Sequence, residues 1–192
     1  KGGGQQVASN FVNQVVGKKD FSLVFLATEN TYIHQLLEKR NANVIAVKNN
    51  LVGRFVFQFI NLGRIIKEHG IDIIYTMFGP GLHNKNTISI TGCAYSNLFF
   101  PEIDFWTGHS FIQKLKLKLI DRYRLNSTLK SDAIVFENEA MQRRASSLFK
   151  YPLSRTKLIL PSTSEYKTVD DAAFQKRLSV IKDNNFNIVL LT

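Results

Sequence analysis

The 192 residues carry 25 Lys and Arg against 15 Asp and Glu, a formal net charge of +10. An excess of that size favours anionic partners such as nucleic acid, phosphorylated substrates or anionic lipid headgroups. Hydrophobic residues at 44% suit a globular protein with a full core, and the lone Cys93 excludes an internal disulfide framework and a Cys-rich zinc site.

In chain order, Lys1-Gly2-Gly3-Gly4 reads as a glycine-rich loop running into a helix over about Gln5 to Val16, where Ala8, Phe11, Val12, Val15 and Val16 recur at helical spacing. Such a loop normally follows a buried strand, because glycine lets the backbone turn sharply from sheet to helix. Phe21 to Ala27 is an apolar run that predicts a buried strand, and Asn30 or Thr31 can cap the helix that follows. Val44 to Val47 reads as a short strand. A long helix comes next, with Val52, Phe55, Val56, Phe59, Leu62 and Ile66 on one stripe and Gly70 at its end. Strands are expected over Ile71 to Phe78, Ile88 to Tyr95, Ala133 to Phe136 and Lys157 to Leu160. Helices are expected over Phe111 to Leu129, Glu139 to Phe149 and Val169 to Lys182, with a polar linker from Ser162 to Thr168 and a terminal strand from Phe186 to Leu191. Fully apolar strands alternating with amphipathic helices predict a Rossmann-like, doubly wound parallel sheet with helices on both faces. Ligands of such folds bind at the carboxyl ends of the strands.

The candidate sites follow from that rule. Gly3 and Gly4 stand at a helix start, where free amides and the positive end of the helix dipole bind phosphate or carboxylate oxygens; a flexible tail is the plainer reading. Phe78, Gly79, Gly81 and His83 follow a strand; the glycines let the backbone approach a ligand and His83 can hydrogen-bond a hydroxyl, against a simple turn with an exposed histidine. Tyr95 and Asn97, also after a strand, offer groups suited to sugar or phosphate. The stretch from Leu98 to Trp106 sets aromatics beside Glu102 and Asp104, as a carbohydrate groove or as a loop folded on the core. Glu137 and Glu139 either touch ligand or cap a helix. The basic helix 111–125 fits a membrane surface; its ordinary reading turns Ile112, Leu115, Leu119 and Tyr123 inward and leaves the lysines in water. His34, His69, His83 and His109 show no metal-ligand spacing, so no metal site is expected. The basic residues form no nucleic-acid signature with interleaved exposed aromatics, so no specific nucleic-acid partner is expected.

Taken together and in this order, these features resemble the N-terminal domain of a family 4 type glycosyltransferase with the GT-B fold. Gly2-Gly3-Gly4-Gln5-Gln6-Val7 resembles that family's N-terminal glycine loop, and Ile71-Asp72-Ile73-Ile74-Tyr75 its strand after a Lys/Glu-rich helix. Leu129 to Glu139 is similar to a further strand segment, Lys157 to Ser162 to the strand entering the interdomain linker, and Asn185 to Thr192 to the first strand of the second domain. Two departures stand out. Many members carry a histidine where this chain has Met77 and Phe78, and the paired glutamates that hold the nucleotide sugar belong to the second domain.

The resemblance implies an acceptor-side domain over residues 1–165 lacking its first strand, and over 166–192 a linker helix with the first strand of a truncated donor-binding domain. It implies transfer of a sugar from a nucleotide-sugar donor to a glycan or lipid-linked acceptor, with retention and without an obligatory metal or other cofactor. Catalytic residues are expected in the second domain, so the isolated chain is expected to be inactive. The substrate-binding residues expected in this half are Gly3, Gly4, Phe78, Gly79, His83, Tyr95, Asn97 and Glu137. The expected location is the cytoplasm, with peripheral contact at the inner face of the membrane. The alternatives are a non-catalytic basic α/β domain that binds anionic polymers or membranes, and a GT-B sugar-nucleotide epimerase.

Overall fold

The computed structural model describes residues 3–19, 22–50, 53 and 56–159, which form an α/β arrangement of parallel sheets and helices of Rossmann-like type. Residues 1–160 group as one unit apart from 161–192. The expected linker over Ser162 to Thr168, helix over Val169 to Lys182 and strand over Phe186 to Leu191 lie outside the described residues.

Helix α1 (Gly3–Val15) leads to β1 (Phe25–Thr28), and α2 (Tyr32–Lys39) joins it to β2 (Val44–Val47). A π-helical turn over Phe57–Asn61 continues into α3 (Leu62–His69), then β3 (Ile73–Thr76) and β4 (Ile88–Cys93). The long α4 (Phe111–Leu129) precedes β5 (Ala133–Phe136), and α5 (Glu139–Phe149) precedes β6 (Thr156–Leu158). The strands assemble as two parallel sheets, one with order β1-β2 and one with order β3-β4-β5-β6. In register, Phe25 faces Val44, Ile73 faces Ile88, Ile90 faces Ala133 and Ile134 faces Thr156.

The helix ends follow local chemistry. The Thr31 hydroxyl accepts from the His34 amide to cap α2, and Ser110 with Gln113 forms a reciprocal capping box on α4. Gly70 closes α3 at φ 58, a left-handed conformation that glycine adopts without steric cost. The first helix starts at Gly3, two residues ahead of the expected Gln5, so Gly3 and Gly4 belong to its first turn. The helix before β3 also departs from expectation. A π turn carries an extra residue and rotates the buried face, so Phe57 is buried while Phe59 of the expected stripe is exposed.

Three apolar clusters hold these layers together. Val12 of α1 and Leu37 of α2 pack with Ala27, Phe25 and Val44 on one face of β1-β2. Leu62, Ile65 and Ile66 of α3 pack with Leu26, Ile45 and Val47 on the opposite face, and with Ile74 of β3. In the larger sheet, Ile134 and Phe136 of β5 pack with Phe99, Met141, Ala145 and Tyr151. The connection from β3 to β4 has no helix, so residues 77–87 run back along the sheet as an extended crossover. Gly81 on that crossover is the point of closest approach: a Cβ there would fall 2.7 Å from Thr91 Oγ1 and 2.8 Å from Ser131 Oγ.

Helix α4 overturns the ordinary reading of its apolar stripe. Ile112 (79% exposed), Leu115 (52%), Leu119 (60%) and Tyr123 (48%) point outward rather than into the core. The cause lies in the helix's last turns. Leu125 and Leu129 dock on the core of the larger sheet, Ser127 and Thr128 are buried, and these contacts fix the rotation of the whole helix. Among the described residues no helix is long and apolar enough to cross a membrane.

Candidate functional site

The start of α1 lies between the carboxyl ends of β1 and β3. Gly4 sits against the Phe78 ring, where an added Cβ would meet Cδ2 at 3.8 Å. On its other side Gln5 lines a cavity of about 400 Å³ together with Thr28, Thr31 and Tyr32. The amides of a first helical turn have no partner within the helix, so this edge turns those donors and the positive end of the helix dipole outward.

Phe78 stands at φ 46, a left-handed conformation that bulky side chains rarely adopt. Its amide donates to the Gly92 carbonyl at 3.3 Å, and its carbonyl accepts from the Tyr95 hydroxyl at 3.3 Å. Backbone held in this region by surrounding bonds is a feature of ligand-binding edges. The Arg124 guanidinium lies over the Tyr95 ring, 4.9 Å from its centre, and pairs with Asp121 at 3.5 Å. Gly4, Phe78, Tyr95 and Arg124 therefore form a continuous line across the carboxyl edge.

The other candidates are placed as follows. Gly79 follows Phe78, and a Cβ added there would meet the Thr76 methyl at 3.5 Å. Asn97 lies half-buried in the short 3-10 turn after Tyr95. Glu137 is half-buried at the end of β5 and contributes, after burial itself, to raising the Cys93 thiol. That thiol is pushed up to about 11, so it stays protonated at neutral pH and is no nucleophile. The cap on α5 is Asn138, whose side chain accepts from the Ala140 and Met141 amides, while Glu139 pairs with Arg143 at 2.6 Å.

His83 stands apart from this edge. Its Nε2 lies 2.9 Å from the Ser127 carbonyl, and the Ser127 hydroxyl donates to the Gly81 carbonyl at 2.7 Å. The crossover carries His83 away from the carboxyl end of β3 towards the end of α4. Gly81 likewise serves close packing against Thr91 and Ser131. The aromatic stretch folds on the core. Leu98 and Phe99 are buried, and the carboxylates are engaged, Glu102 with Arg144 at 2.6 Å and Asp104 with Lys114 at 2.9 Å. Trp106 donates to Asp121 at 3.0 Å.

Sequence reasoning missed Thr28, Thr31 and Tyr32 as lining, and Arg124 as the partner of Tyr95. The signal for the threonines was present, since Thr28 ends a strand and Thr31 caps the next helix. Arg124 gave none, because its contact with Tyr95 depends on the rotation of α4. Among the described residues no group of three or more His, Cys, Asp or Glu could hold a metal ion. No protein-family model, curated protein or solved structure matches the chain.

Proposed function

We propose that this chain is the acceptor-side part of a family 4 type glycosyltransferase of GT-B fold, in which a nucleotide-sugar donor gives its sugar to a glycan or lipid-linked acceptor. The observation that carries this reading is the meeting of the α1 start, strained Phe78 and Tyr95 at one carboxyl edge beside an open cavity. First-turn amides at Gly3 and Gly4 suit the oxygens of a diphosphate or of an anionic acceptor. Tyr95, Asn97 and Glu137 supply a hydroxyl, an amide and a carboxylate of the kinds that hold sugars. Charge stabilisation of the leaving diphosphate and positioning of the acceptor hydroxyl then supply the rate, with the catalytic groups on the donor-binding domain.

The exposed face of α4 supports a membrane-borne acceptor. Phe111, Ile112, Leu115 and Leu119 are bare, and Lys116, Lys118 and Arg122 are exposed on the same helix. An apolar stripe edged by cations lies down on anionic lipid. Helices that link parallel strands start at the carboxyl edge, so Phe111 begins on the side of the candidate site. In this reading the acceptor is met at the inner, cytoplasmic face of a membrane.

Two measurements test the reading. Titration of residues 1–192 with a panel of nucleotide sugars, followed by amide NMR, is expected to shift Gly4, Phe78 and Tyr95 while the chain alone shows no turnover. Sedimentation with phosphatidylglycerol vesicles is expected to retain the chain and to lose Leu115→Glu/Leu119→Glu. Clear transferase turnover by residues 1–192 overturns the assignment of the chemistry to another domain. Vesicle binding with no nucleotide-sugar response points instead to a non-catalytic basic binding domain.

A further inference from the structure

The turn that follows β3 is fastened at both ends to one face of α4. Its residues 78–81 read Phe-Gly-Pro-Gly, in which Pro80 fixes its own φ and narrows the choice of Gly79. At the near end, the Phe78 carbonyl accepts from the Tyr95 hydroxyl at 3.3 Å, and the Arg124 guanidinium covers the Tyr95 ring, 4.9 Å from its centre. At the far end, the Gly81 carbonyl accepts from the Ser127 hydroxyl at 2.7 Å. His83 adds a third tie: its Nε2 lies 2.9 Å from the Ser127 carbonyl, which can only accept. Arg124 and Ser127 are three residues apart and so adjoin on the helix surface. Two carbonyls three residues apart in the turn are matched by two side chains three residues apart on the helix.

The helix end of this fastening is firm and the turn end is strained. Leu125 and Leu129 pack on the core of the larger sheet, and Ser127 and Thr128 are buried. Arg124 is itself held, since Asp121 pairs with it at 3.5 Å and takes the Trp106 indole on its other oxygen at 3.0 Å. Phe78, in contrast, stands at φ 46, a conformation that a bulky side chain leaves when nothing holds it. Such backbone persists only where its surroundings over-determine it. The Phe78 amide is bonded to the Gly92 carbonyl at 3.3 Å, and its own carbonyl to Tyr95, so φ and ψ are fixed together. Releasing the carbonyl frees the pair to relax. In the held state the Phe78 ring is what a Cβ at Gly4 would meet, at the start of α1.

We infer that Arg124 is a positioning residue: acting through the Tyr95 hydroxyl, it keeps Phe78 left-handed with its ring at the α1 start, while Ser127 fixes the far end of the turn. The path runs from Trp106 through Asp121, Arg124 and Tyr95 to Phe78. The placement of the Phe78 ring sets the room that a ligand finds beside the Gly3 and Gly4 amides, so α4 shapes the candidate site from outside it. Arg124 needs its charge for this, because a cation is drawn to the face of an aromatic ring and an apolar side chain of equal length is not. That the edge binds a substrate rests on the reading proposed above. The positioning does not, and the two can fail separately.

The test reads Phe78 directly by NMR on the labelled chain of residues 1–192. A left-handed residue brings its amide and α protons close together, so the Overhauser effect between them is strong and weakens when φ turns negative. Tyr95→Phe removes only the hydroxyl bond. Arg124→Met keeps the packing of the stem and removes the guanidinium. Each is expected to lose the strong Overhauser effect at Phe78 and to shift the Gly4 amide, while Asn126→Ala, at an exposed position of the same helix, leaves both unchanged. The double variant is expected to do no more than Tyr95→Phe alone, because Arg124 acts through that hydroxyl; independent loosening of the fold would add. Arg124→Gln takes the place of Arg124→Met if the latter does not fold. An unaltered Phe78 without the guanidinium, or additive effects in the double variant, overturns the inference. Loss of the Phe78 signal in these variants, with no amide of the parent chain moved by the nucleotide-sugar panel, upholds the positioning and removes the transferase reading. Equal nucleotide-sugar shifts at Gly4 with and without the guanidinium overturn the role of Arg124 in shaping the site.

Discussion

Leu37 and Phe136 are both sealed from solvent, yet their surroundings differ in kind. Phe136 belongs to a strand with neighbours on both sides, and Phe99 meets its ring edge-on at 5.4 Å. Leu37 belongs to the small sheet's cover and borders an apolar cavity. Around Phe136 the layers are closed and even polar groups are paired: Thr91 with Ser131 at 2.7 Å, and the Tyr151 hydroxyl with the Ser131 carbonyl at 2.8 Å. In β1 and β2 only Ala27 is buried. The difference teaches that burial in this fold comes from lateral strand neighbours as much as from helices. It predicts a more rigid β3–β6 sheet, firmest at β5, and a β1-β2 pair that yields more readily.

Mutations can break that contrast at graded cost. Phe136→Ala is expected to lose about 3–5 kcal/mol, because the tight shell cannot collapse on the hole. Leu37→Ala is expected to lose only about 2 kcal/mol, since its cavity-side neighbours are free to move. Urea denaturation compares the two, and equal losses would erase the distinction between the halves. Thr91→Val strands the buried Ser131 hydroxyl and is expected to cost about 1–2 kcal/mol. Adding Ser131→Ala to Thr91→Val is expected to cost less than the sum, because each single change strands one hydroxyl of the pair and the double change strands neither.

A smaller effect concerns acid stability of the larger sheet. Ser89 donates to Asp132 through its amide at 2.8 Å and its hydroxyl at 2.9 Å, and these bonds hold the carboxyl below its ordinary value of 3.8. A depressed carboxylate contributes stability that is fully present above the unfolded value and is lost as pH falls through the folded one. Ser89→Ala is therefore expected to lower the midpoint of urea unfolding at pH 5 and to leave it less altered near pH 2. The smallest change is expected at the bare face of α4. Leu119→Ser should shift stability by less than about 0.5 kcal/mol while weakening vesicle binding.

Much of this architecture was legible in the residues. Val44 to Val47, Ala133 to Phe136 and the helices over 111–129 and 139–149 occur where period and caps place them. Edges and rotations were not. One extra residue in a π turn exchanged Phe59 for Phe57, and the docking of Leu125 and Leu129 turned the expected inner stripe of α4 to solvent. Of the site, Gly4, Phe78 and Tyr95 come together because all three follow the carboxyl-edge rule. His83 leaves the group because the β3–β4 connection has no helix, a tertiary choice that no local pattern announces.

Cys93 ends β4, in the middle of the larger sheet, buried and with its thiol held neutral. It is also the chain's single sulfhydryl. A thiol reagent can therefore reach sulfur only when the packing around the end of β4 opens. The rate of that labelling is a clock for the opening of the larger sheet, read without adding any probe to the molecule.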